Sequence, residues 1–90
     1  MSNKRTLKST IKLICAELIA ECIASSLQAQ KSNYENIAAL LFSIVKMEED
    51  FTSRISHPEP GMPAKQYFRE LRSSFSAQVS DIIDQINNMH

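Results

Sequence analysis

A chain of 90 residues makes one domain, and ten basic residues balance ten acidic ones to leave no net charge. That balance weighs against binding nucleic acid mainly by phosphate neutralisation, and it removes the self-repulsion that keeps small proteins apart. A hydrophobic content of 43% with 22% charged residues places the chain among folded proteins rather than disordered ones. No apolar run approaches the roughly 20 residues that span a bilayer. The start, Met1-Ser2-Asn3-Lys4-Arg5, leads into charged amphipathic sequence and predicts no secretory signal.

All three prolines (Pro58, Pro60, Pro63) and the single glycine, Gly61, fall within six residues. The rest of the chain lacks strong helix breakers, which predicts three long helices over about 4–30, 33–56 and 63–88. In the first, Leu7, Ile11, Ile14, Leu18 and Cys22 recur at intervals of three and four and draw one buried stripe. Cys15, Ile19, Ile23 and Leu27 widen it, so this helix is expected to meet more than one neighbour.

The segment from Gln28 to Asn33 is polar and lacks apolar periodicity. Ser32 followed by Glu35 has the spacing of a capping box, in which serine oxygen and glutamate each satisfy a free backbone amide. The second helix then carries Tyr34, Ile37, Leu41, Ile44, Phe51 and Ile55 on its stripe, with Leu40, Val45 and Met47 alongside. Glu48 falls on this seam and calls for a cation such as Lys8, Arg69 or Arg72.

Residues 57–62 form the proline-rich loop. His57, Glu59 and Met62 precede prolines and are expected to be extended. Pro63 suits the first position of the third helix, where its missing amide carries no penalty. Phe68, Leu71, Phe75, Val79, Ile82, Ile86 and Met89 follow with spacings of three and four throughout. Short connections make consecutive helices antiparallel, so the expected fold is all-α, a single up-down-up three-helix bundle spanning residues 1–90. Such long helices give a thin core, and the wide stripe of the first helix points to a homodimer that covers exposed apolar surface.

Candidate sites follow from charge and spacing. Lys4, Arg5, Lys8 and Lys12 precede the first acidic residue, Glu17. Positive charge at a helix start opposes the macrodipole by a few tenths to about 1 kcal/mol per charge. Glu48, Glu49 and Asp50 are expected at the same height and offer compensation. In an up-down-up bundle Lys65, Arg69 and Arg72 join that end, making a basic patch that a nucleic acid or an acidic protein could use.

Glu17 and Glu21 share a helix face, but neither histidine follows a glutamate at the spacing of di-metal bundles, so a solvated acidic stripe is expected. Cys15 and Cys22 on one helix lie about 10 Å apart, too far for a disulfide. No Cys-x-x-Cys motif supports a metal there, and free core thiols suit the cytoplasm. His57 and His90 have no evident triad partners. The sequence therefore predicts no catalytic residue, metal or cofactor. It favours a non-enzymatic protein-interaction module that self-associates, with a nucleic-acid binder as the alternative.

The combination of Lys4-Arg5-Thr6-Leu7-Lys8, Ile14-Cys15-Ala16-Glu17-Leu18 with Glu21-Cys22, Ser56-His57-Pro58-Glu59-Pro60-Gly61-Met62 and Asp81-Ile82-Ile83-Asp84-Gln85-Ile86 resembles an uncharacterised family of short bacterial helical proteins. The resemblance implies a helical fold in a bacterial cytosol and brings no activity or binding residue with it.

Overall fold

A computed structural model describes residues 3–28 and 33–89. Three helices account for most of them: α1 (Lys4–Ser26), α2 (Tyr34–Ser56) and α3 (Ala64–Asn87). At 1.5 Å per residue each is about 35 Å long, and the molecule measures 48 × 19 × 16 Å. Its radius of gyration, 14.9 Å, exceeds the roughly 12 Å of a compact chain of this length.

Local chemistry sets the helix ends. The Asn3 side chain caps α1 by accepting from the Thr6 amide at 2.8 Å. α1 stops at Ser26, short of the expected residue 30. Leu27 closes it, its N–H turned back to the Ala24 carbonyl and the Gln28 N–H to the Ser25 carbonyl, and Leu27 is 83% exposed. The apolar spacing runs on to Leu27, but among the described residues Leu27 is left largely in solvent. Leu27 and Ile23 therefore leave the predicted core stripe, Ile23 being exposed as well.

Ser32 lies outside the described residues, and with it the expected capping box. Asn33 precedes α2 without a side-chain cap and instead donates from its amide to the Met89 carbonyl at 3.3 Å. Tyr34, expected on the buried stripe, is exposed at the first turn. Leu40 and Met47, expected beside the stripe, are in the core.

After α2, Met62 N–H returns to the Glu59 carbonyl at 3.4 Å. Pro60 and Gly61 occupy the two central positions of this turn, and Gly61 takes φ +91. That is the type II arrangement, in which the third residue needs the left-handed torsion that glycine adopts without strain. Pro63 stands one place before α3 rather than inside it; its carbonyl accepts from Tyr67 N–H at 2.9 Å.

Contacts between helices fix their directions. Cys22 near the end of α1 meets Ile37 near the start of α2. Tyr67 at the start of α3 donates its hydroxyl to the Arg54 carbonyl near the end of α2, at 2.9 Å. α1 and α3 therefore run parallel, with α2 antiparallel to both. The core draws on all three helices: Ile11, Cys15, Leu18 and Cys22; Ile37, Leu40, Ile44, Met47, Phe51 and Ile55; and Leu71, Phe75, Ile82 and Ile86. Phe51 and Phe75 meet edge to face at 5.2 Å between centroids. No helix among the described residues is long and apolar enough to cross a membrane.

Candidate functional site, a polar-ended groove between the first and third helices

On α1 the residues flanking the core stripe on its α3 side are Leu7, Ile14 and Glu21, one heptad apart. A seven-residue repeat keeps side chains on one face of a helix, so this row stays beside α3 along its length. Facing it, α3 presents Phe68, Arg72, Val79 and Ile83. The space between the two rows is not filled. Three adjoining hollows occupy it, of about 720, 250 and 490 Å³ from the helix starts onward. The first two share Leu7 and Arg72, and the last two share Ile14. They form one groove, about 27 Å long measured along α1 from Asn3 to Glu21.

The floor of the groove is apolar. Leu7, Ile14, Phe68 and Val79 are half-buried against the core beneath, and Ile83 is 43% exposed on the rim. Its ends differ in charge. Lys4, Lys65 and Arg72 line the hollow at the helix starts, together with Asn3. Glu17 and Glu21 line the hollow at the far end, beside Asn87. Lys4, Lys65, Glu17 and Glu21 are all exposed.

The sequence-predicted basic patch therefore divides. Lys4, Lys65 and Arg72 come together in one cleft, as parallel α1 and α3 require. Arg5, Lys8, Lys12 and Arg69 line none of the three hollows. A turn of 100° per residue carries Lys8 and Lys12 to the α2 side of α1. Asp50, expected near these cations, pairs with Arg54 one turn along α2 at 2.9 Å. The Arg54 guanidinium also lies 4.9 Å from the centre of the Phe51 ring. Glu48 is half-buried where α2 faces α1, close enough to Cys15 to act on its thiol.

Both cysteines are free and buried. Burial pushes the Cys15 thiol up to about 11, and the Glu48 carboxylate adds to the shift by opposing a second negative charge. Burial likewise raises Cys22, whose S–H donates to the Ile37 carbonyl at 3.9 Å. Thiols held protonated in this way are poor nucleophiles and poor metal ligands. Among the described residues, no three His, Cys, Asp or Glu side chains converge on a possible metal position. His57 sits in the loop with Nδ1 3.1 Å from the Ser53 carbonyl; His90 lies outside the described residues.

Glu17 and Glu21 were expected as a solvated stripe, and exposed they are. Their place at one end of an apolar groove is what sequence spacing leaves out, since it depends on how α1 is rotated towards α3. The heptad row Leu7, Ile14, Glu21 carries the signal, legible once α3 is known to lie on that side. No protein-family model, curated protein or solved structure matches this chain.

Proposed function

We propose that this protein is a non-enzymatic helical interaction module and that the α1–α3 groove is its docking face. The observation that carries the reading is the groove itself: a long apolar floor, open to solvent, bounded by polar ends of opposite sign. An apolar strip of this length is the usual seat of an amphipathic helix, which buries its own apolar face there while the ends set orientation. Ile83→Glu tests it. The substitution places a carboxylate on the groove rim at an exposed position, so the fold is retained. Proteins captured from the native cell by the wild-type chain are expected to be lost with Ile83→Glu and kept with Val45→Glu, a similarly exposed change on α2 (47% against 43%). Equal capture by both variants would remove the groove from the reading.

A second reading has one observation in its favour. Lys4, Lys65 and Arg72 share a cleft, and clustered cations are the footprint of phosphate binding. The zero net charge weighs against it. Titration with mixed DNA and RNA separates the two: binding that falls steeply from low to moderate salt supports nucleic-acid recognition, and no binding at low salt excludes it.

A further inference from the structure

We infer that the occupant of the groove is a second copy of this chain, packed groove to groove and antiparallel about a two-fold axis near its middle. The inference rests on reading the groove as a docking face, and it names what docks. The first argument is charge. Lys4 and Lys65 mark one end and Glu17 and Glu21 the other. A two-fold axis across the groove brings each basic end onto the acidic end of the other copy, twice over. A parallel arrangement would set like charges together.

The helix ends supply the second argument. α2 balances its own dipole, with Glu35 in its first turn and Arg54 in its last. α1 and α3, the two helices of the groove, have no acidic residue in the first turn and no basic residue in the last. Cations instead sit at their positive ends, with Lys4 opening α1 and Lys65 at the second position of α3. An antiparallel copy places Lys65 beside the negative end of the partner's α3, which lacks any cation in its last turn. The same operation that pairs the charged ends of the grooves thus relieves the mismatch of α3. The third argument is shape. Across such an axis the partner's Ile83, proud of its own rim, faces the widest hollow, of about 720 Å³, over Leu7 and Phe68.

Sedimentation of the full chain over micromolar concentrations tests this with two charge-swapped variants. One carries Lys4→Glu with Lys65→Glu, and the other Glu17→Lys with Glu21→Lys; all four positions are exposed, so each variant folds, as circular dichroism will verify. The wild type is expected to be a dimer. Each variant alone sets like charges together at both ends, and its dissociation constant should rise about tenfold or more. Mixed in equal amounts, the two variants regain opposite charge at both ends and should dimerise again. Lys12→Glu with Lys46→Glu makes the same change in net charge outside the groove and should remain a dimer.

A wild-type monomer at high micromolar concentration overturns the inference, as do swapped variants that dimerise like the wild type or a mixture that stays monomeric. Loss of the dimer in the Lys12 and Lys46 variant also overturns it, because net charge rather than the groove would then be responsible. Failure here is distinct from failure of the docking reading. A monomer that still captures a protein in an Ile83-dependent way loses the second copy and keeps the groove. Salt-dependent nucleic-acid binding lost with Lys4→Glu and Lys65→Glu would assign the basic end to a different ligand and overturn the dimer.

Discussion

α1 meets its two neighbours in different ways. Against α2 it forms a closed seam, and all six of the largest fully buried side chains belong to these two helices: Phe51, Ile11, Ile44, Ile55, Cys15 and Cys22. Against α3 it leaves the groove, and the buried residues of α3 are between 4% and 7% exposed. The side chains explain the difference. Towards α2, α1 presents the small Cys15 and Cys22, and small residues let helix axes approach to the short end of the usual 8–10 Å. α3 enters with the bulkier Phe68, Leu71 and Phe75, of which Leu71 and Phe75 are buried in the core and Phe68 is half-buried beside the groove. The same apolar chemistry thus seals one interface and leaves the other half-filled.

The comparison breaks first at Phe51. This ring is fully buried and meets Phe75 edge to face, so it closes the seam and also supports α3. Phe51→Ala removes that packing and opens a cavity that long helices cannot collapse into, a loss of about 3–5 kcal/mol. In a domain this small, such a loss approaches total stability. Urea unfolding at a concentration that keeps the protein monomeric measures it; a loss under about 1 kcal/mol would mean that the seam is not what holds the fold.

Cys15 tests whether the seam is dry. Its folded thiol holds its proton to about 11, against an ordinary value of 9.0. A pKa raised on folding gives stability that is complete below the unfolded value and lost as pH rises through the folded one. Stability should therefore fall between about pH 9 and 11, by at most about 3 kcal/mol from this thiol. Lysines and tyrosines titrate in the same range, so the readout is the difference from Cys15→Ala, which should show a shallower decline. Identical pH slopes in the two proteins would show that water reaches the seam.

How much of this was legible in sequence follows the same division. The spacing of Ile11, Leu18 and Cys22, and of Ile37, Ile44, Phe51 and Ile55, gives the seam directly, because buried residues repeat with the helix period. The cluster of Pro58, Pro60, Gly61 and Pro63 gives the turn into α3 for an equally local reason. Helix ends without a breaker are harder: α1 stops at Ser26, four residues before the expected end at residue 30. The groove was only half legible. That Lys4 and Lys65 share an end follows from alternating helix directions. That Glu17 and Glu21 lie on the same groove depends on the rotation of α1 about its axis, which is set by the sizes of side chains on three helices at once.

The smallest effect is the most discriminating, because it concerns the groove rim alone. Ile83 has almost half its surface in solvent and supports little of the monomer. Ile83→Ser should leave monomer stability within about 0.5 kcal/mol of wild type, as surface substitutions usually do. The same change should weaken dimerisation severalfold, because in the two-fold arrangement the partner's Ile83 fills the hollow over Leu7 and Phe68. Unfolding at low concentration reads the first quantity and sedimentation at high concentration the second. Mass action links them: with a dimer, wild-type stability rises with concentration and the rise shrinks in Ile83→Ser. Equal concentration dependence in the two proteins would leave α3 with an open face and no copy upon it. A large loss at low concentration would instead place Ile83 in the core, and the contrast between sealed seam and open groove would fail at its own edge.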